Sequence, residues 1–175
     1  MKRLFGLFFV LIASAGCAAS PQGWGTELQL YPSGLIVAGH TRYSISQDES
    51  LFLRAGYNFT DRGNSGKHED EEGGGPGLGV GYRRNLAGDG AQGWLYGARV
   101  DLFFLDIDWK DTGSQGSSDV IVLQPAVEGG YGWNLASGRI ELTLSAGAEI
   151  NIDTNGEDVG EGAIGLLGVT YLFGR

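Results

Sequence analysis

Arg139-Ile140-Glu141-Leu142-Thr143-Leu144-Ser145-Ala146-Gly147-Ala148-Glu149-Ile150-Asn151-Ile152 changes character at every residue. Ile140, Leu142, Leu144, Ala146, Ala148, Ile150 and Ile152 share one parity, and charged, hydroxylated or small residues occupy the other. A pleated backbone sends successive side chains to opposite faces, so a period of two over this length specifies a strand with one apolar face. Strands of water-soluble domains usually run about five or six residues, whereas a tilted strand needs roughly nine to eleven to cross a bilayer. The length of the repeat points to a transmembrane β-barrel.

Seven further stretches alternate in the same way: Thr26–Tyr31, Leu35–Ile45, Leu51–Thr60, Gly77–Leu86, Gly93–Asp108, Asp119–Asn134 and Ala163–Phe173. No helical period competes with them. Pro125 falls inside the sixth and removes one ladder donor. In an up-and-down order the connections alternate between two ends. Ser46–Ser50, Ala87–Gln92 and Leu135–Gly138 are short, whereas Asp61–Pro76, Trp109–Ser118 and Asp153–Gly162 are long and polar. Short inner turns and long outer loops characterise membrane barrels, with Pro32-Ser33-Gly34 as a tight exception. The expected fold is all-β, an eight-stranded antiparallel up-and-down transmembrane barrel.

Alternation leaves open whether the apolar face points to the centre or to lipid, and three features choose lipid. Tyr43, Tyr82, Trp94, Tyr96, Tyr131, Trp133, Tyr171 and Phe173 share the apolar parity and fall at one edge, as an interfacial aromatic girdle does. Tyr57, Phe59 and Trp109 would mark the other edge. The polar parity is rich in glycine (Gly56, Gly79, Gly81, Gly97, Gly130, Gly132, Gly147, Gly168), which makes room inside a narrow barrel. On that parity Arg42, Arg54, Arg83, Arg99 and Arg139 meet Glu27, Asp101, Glu128, Glu141 and Glu149, the balance an enclosed ionic lumen requires. The pattern slips after Phe104, where Leu105, Ile107 and Trp109 suggest a bulge. In the last strand Ile164, Leu166 and Leu172 fall on the lumen side.

Residues 1–19 read as a secretory signal peptide: basic Met1-Lys2-Arg3, apolar Leu4 to Ile12, then small residues. Two cleavage readings stand. One is ordinary signal peptidase processing before Ser20. The other is a lipobox, Ser14-Ala15-Gly16-Cys17, that would lipidate Cys17. Residues 20–175 form the barrel domain. No cysteine follows Cys17, so a disulfide inside that domain is excluded. The formal charge is −9, and loss of Lys2 and Arg3 takes it to −11, with Lys67 and Lys110 then the only lysines. So acidic a chain argues against nucleic acid as a partner.

Gly79-Val80-Gly81-Tyr82-Arg83 and Gly129-Gly130-Tyr131-Gly132-Trp133-Asn134 resemble descending strands of the small eight-stranded outer-membrane barrels, the OmpA transmembrane domain and OmpX. Val169-Thr170-Tyr171-Leu172-Phe173 is similar to the C-terminal signal that the barrel-assembly machinery reads. The resemblance implies a bacterial outer-membrane location, with outer-membrane lipid and lipopolysaccharide as surroundings and the assembly machinery as a partner during biogenesis. It implies no single activity, because this architecture carries anchors, adhesins, narrow channels and lipid enzymes.

The chemistry available is sparse. A lipid A-modifying hydrolase would need a nucleophile and base. Only His40, on the lumen parity, and His68, in an acidic loop and expected to be solvated, are present. His68-Glu69-Asp70-Glu71-Glu72 and Asp153-Thr154-Asn155-Gly156-Glu157-Asp158 carry hard oxygen ligands but lack EF-hand spacing, and the expectation is hydrated loops without a metal or cofactor. Eight strands enclose room for side chains and little else, which disfavours a diffusion pore. A soluble lipocalin-like barrel would require the apolar parity inside. The reading is therefore a non-enzymatic structural or surface-interaction protein, with an unspecified surface partner held by the outer loops.

Overall fold

The computed structural model describes residues 20–88 and 91–173. The expected signal segment and Cys17 lie outside them. The strands are β1 (Ser20–Tyr31), β2 (Gly34–Ser44), β3 (Glu49–Asp61), β4 (Asp70–Asn85), β5 (Gly93–Asp111), β6 (Ser114–Leu135), β7 (Gly138–Asn155) and β8 (Gly162–Phe173). All pair antiparallel with their sequence neighbours in one closed barrel. β8 returns to β1 through Trp24↔Phe173 to Leu30↔Leu167. A single 3-10 turn, Gly63–Ser65, is the only helical element among the described residues. All eight strands fall where the alternation places them.

The faces are also those that the alternation requires. Leu144, Val127 and Leu142 are 68%, 63% and 41% exposed, while Arg99 and Glu141 are 3% and 0% exposed. Apolar side chains clothe the outside and the paired charges lie within, the reverse of a soluble domain. Lumen glycines leave the space that long neighbours occupy. A Cβ at Gly79 would collide with Asp101 Oδ1, one at Gly81 with the Phe52 ring, and one at Gly132 with the Arg139 guanidinium.

Three expectations are corrected. The long outer loops are mostly strand: β4 begins at Asp70, β5 runs to Asp111, β6 starts at Ser114 and β7 ends at Asn155. Of the three expected long loops only residues 62–69, 112–113 and 156–161 lie outside the strands. Backbone ladder bonds extend the hairpins past the apolar band, and polar side chains do not interrupt them. The bulge is not in β5, whose register with β6 is continuous from Gly93↔Gly132 to Asp111↔Ser114. It lies in β7, where Val122↔Asn151 is followed by Ile121↔Asp153, leaving Ile152 as the extra residue. Leu105 and Ile107 therefore keep the lumen parity. Trp109 does not mark the outer edge of the wall, because it packs inward against the core. Pro125 acts as expected: its ladder to β5 is unbroken, and the β7 ladder passes from Leu123↔Ile150 to Ala126↔Gly147.

Candidate functional site

Six arginines and six carboxylates are buried among the described residues: Arg42, Arg54, Arg62, Arg83, Arg99 and Arg139 with Glu27, Glu71, Asp101, Glu128, Glu141 and Glu149. The strand period carries eleven of them inward, and Arg62 follows directly on the end of β3. The inner half is built round Glu141. Arg42 donates to it twice, at 2.9 and 2.7 Å, Arg139 Nε donates at 2.6 Å and Arg83 Nη1 at 2.5 Å. Arg139 also reaches the Ala91 carbonyl and Asn134 Oδ1 at the inner turns. Arg83 Nε donates to Glu128 at 2.7 Å, and its guanidinium lies 5.0 Å from the Phe52 ring centre. Glu128 accepts in turn from Arg99, whose Nε binds Asp101 at 2.9 Å. Arg54 lies 3.3 Å from Glu27 and 3.4 Å from Asp101, and donates to Gln29 Oε1. The planar guanidinium carries five donors in a fixed fork, so one cation can bind a carboxylate in two places and still reach a second acceptor.

Above that tier the lumen turns apolar. Tyr31, Ile36, Phe103, Leu105, Ile107, Val120, Val122, Val159 and Leu166 form one cluster, with Ile164 and Trp109 packed against it. Tyr31 keeps its hydroxyl satisfied by Asn58 at 2.7 Å. Val159 comes from the β7–β8 connection and is 1% exposed, so that loop plugs the outer mouth.

The plug is held by a second, separate charge cluster. Arg62 lies 3.1 Å from Glu71 and 3.2 Å from Glu149, and Gln124 donates to Glu149 at 3.3 Å. Glu71 also accepts the N–H groups of Lys67 at 2.7 Å, His68 at 3.1 Å and Gly160 at 2.9 Å. Burial works against its charge, but these donors and Arg62 outweigh it and hold the carboxyl below its ordinary value. Glu149 thus bridges to the rim and makes no bond to the inner network. The acidic run containing Glu71 was expected to be solvated, yet this residue is fully buried and ties two connections together. Its signal was present in the sequence. Counting back in twos from Arg83 puts Glu71 on the lumen face, and counting forward from Arg54 does the same for Arg62.

His68 corrects the same expectation. Its ring is stacked on Trp109 at 4.4 Å and bonded to Asp111 at 2.7 Å. His40 sits within the lumen, its ring 5.9 Å from that of Phe52, and neither nitrogen has a hydrogen-bond partner among the described residues. Among the described residues neither histidine bonds a hydroxyl or thiol.

The expected girdle residues lie on the outward parity at the inner edge. Trp94 and Tyr96 are 65% and 45% exposed, and Trp94 meets Tyr131 edge to face at 5.3 Å. Tyr131 packs against Trp133 at 4.8 Å, and Tyr171 against Phe173 at 4.7 Å. Tyr82 donates to Glu49 at 2.7 Å, and Tyr43 lies opposite Leu51 on the neighbouring strand. Trp24, which stacks on Phe173 at 4.3 Å, belongs to the same belt. It escaped the sequence reading because β1 begins before Thr26. Tyr57 and Phe59 pack together at the outer edge.

Neither a protein-family model nor a curated protein sequence matches the chain. Solved structures do. The N-terminal β-barrel domain of OprF from Pseudomonas aeruginosa is 14% identical, with a TM-score of 0.52 over 88% of this chain and 100% of that one. Neisserial surface protein A is 14% identical, with a TM-score of 0.51 over 88% and 99%. At that identity the likeness shows the fold, which is that of the small eight-stranded outer-membrane β-barrels.

Proposed function

We propose that the chain is an integral protein of the bacterial outer membrane with a structural or surface-interaction role. The observation that carries this reading is the inversion of the barrel: leucines and valines face outward at up to 68% exposure, around a lumen of buried, paired charges. In water such an outer wall would be a large unpartnered apolar surface. In lipid it needs no partner, and closure of the barrel satisfies every strand edge. Outer-membrane lipid and lipopolysaccharide surround the wall, and the assembly machinery receives Val169–Phe173 during biogenesis. Recognition of a surface partner falls to residues 62–69, 112–113 and 156–161, short connections on a rigid scaffold.

Cell fractionation with a heat-shift gel tests the location. The chain should appear in the outer-membrane fraction and migrate differently before and after boiling. Release by salt or carbonate without detergent would overturn the proposal. The filled lumen supports a sealed barrel, and planar bilayers test that part. Silent membranes are expected, and discrete conductance steps would overturn it. Neither histidine is placed for catalysis, so lipid A should be unchanged by overexpression and by His40→Ala.

A further inference from the structure

His68 is the one histidine at the outer rim, and its surroundings specify its charge. Its Nδ1 lies 2.7 Å from Asp111 Oδ2 and its Nε2 lies 3.1 Å from the Asp158 carbonyl oxygen. An ionised carboxylate and a backbone carbonyl only accept hydrogen bonds. A neutral imidazole carries one N–H, so either tautomer leaves one of these contacts without a proton. The imidazolium donates to both. The ring is held in this position by stacking on Trp109, with 15° between the planes.

We infer that His68 is a pH-operated latch: protonated, it ties the β3–β4 connection both to the outer end of β5 and to the β7–β8 connection, and neutral, it gives up one of those two bonds and loosens the segment that carries Lys67. The inference rests on the proposed orientation only in calling this end the outer one. The groups facing the ring favour the cation. Asp111 comes from β5, and the Glu71 carboxylate lies beside the His68 backbone. Glu69 adjoins it in sequence and anchors on Asp111 Oδ1 through its own N–H and on Thr112 through its carboxylate. Lys67 is the opposing charge, and it is turned to the Asp158 carboxylate at 3.3 Å.

The hydrogen bond to Asp111 raises the His68 pKa above 6.5 against a smaller opposing effect of desolvation, and the same bond lowers that of Asp111 below 3.8. A raised histidine value means that the latch contributes fully below about 6.5 and is lost as pH climbs through the folded value. A lowered aspartate value means that its share is present above about 3.8 and is lost only in stronger acid. The closed window thus runs from below the ordinary aspartate range to above the ordinary histidine range. Val159 and the Gly160–Glu71 bond make no contact with the ring, so the latch acts on the rim alone.

Limited proteolysis of the full chain in detergent micelles, with a lysine-specific protease, reads the latch at Lys67. Rates are normalised to cleavage of a free peptide of the same sequence at each pH. Cleavage at Lys67 should be slow at pH 6 and several-fold faster at pH 8.5. His68→Gln, with no charge to gain, should cut at the fast rate at both. In parallel, the His68 ring protons should titrate above 6.5 by NMR, and Asp111→Asn should return that midpoint toward 6.5. A flat profile in the parent chain, or the same pH step in His68→Gln, would overturn the latch. Retention of the heat shift under either result separates this failure from failure of the barrel reading.

Discussion

Glu141→Gln is the sharpest test of how the lumen is held together. The carboxylate is 0% exposed and accepts from Arg42, Arg83 and Arg139. Glutamine keeps the shape and one acceptor oxygen, but removes the charge and points an N–H₂ group at guanidinium donors. Hydrogen bonds to charged groups contribute about 1.5–3 kcal/mol each, though several sharing one acceptor do not add. Breaking a single buried ion pair costs about 3–5 kcal/mol, because a charge is left in low dielectric without its partner. Arg83 retains Glu128, whereas Arg42 and Arg139 have no other carboxylate among the described residues. A loss of about 3–5 kcal/mol is therefore expected. With a slope near 2 kcal/mol per molar urea, the midpoint falls by roughly 2 M. The measurement is urea unfolding in lipid vesicles, followed by the heat-shift gel, with an unchanged slope as the check on comparable end states. Glu149→Gln, which leaves Arg62 its second carboxylate at Glu71, should cost less. A Glu141→Gln loss below about 1 kcal/mol would refute the reasoning and mean that water reaches these guanidinium groups.

Other perturbations probe the remaining parts. Leu144→Arg places a charge on the outer wall and should cost up to about 2–4 kcal/mol of folding stability in vesicles, falling toward the edges of the band; Leu144→Ala, scored in the same assay, should change little. Gly79→Leu should abolish the heat-shifted species or lower stability by at least about 1–3 kcal/mol, since the new side chain must displace Asp101. Glu71 has a lowered pKa, so its hold on the rim is present above about 4.5 and is lost as pH falls through the folded value. Amide exchange at Gly160 and Lys67 should accelerate in that acid range, and Glu71→Gln should show the fast exchange already at pH 6.

Much of this was written in the alternation itself. Arg139–Ile152 is apolar and polar in strict turn, so its strand, its two faces and the burial of Glu141 all followed from parity. The same counting failed where side-chain chemistry stopped marking the face. At the outer ends of β4 and β5 both faces are polar, so Asp70–Glu72 and Trp109–Asp111 read as loop although the ladder continues through them. Leu105 and Ile107 look like lipid-facing residues, because nothing local distinguishes hydrocarbon outside the wall from an apolar core within it. Their position depends on Val120 and Val122 arriving from β6 and on Val159 from the β7–β8 connection. The bond between His68 and Asp111 joins segments 43 positions apart and has no local signature.

The two tiers of the lumen make ionic strength act unequally on this molecule. Dissolved salt attenuates interactions between exposed charges over a Debye length of about 8 Å under physiological conditions, and it attenuates buried pairs far less. Lys67 and Asp158, with side chains 45% and 78% exposed, lie in reach of counterions. Arg83 and Glu141, at 3% and 0%, lie behind Phe103, Ile107 and Val122. Brine would loosen the acidic crown while weakening the arginine column beneath it far less.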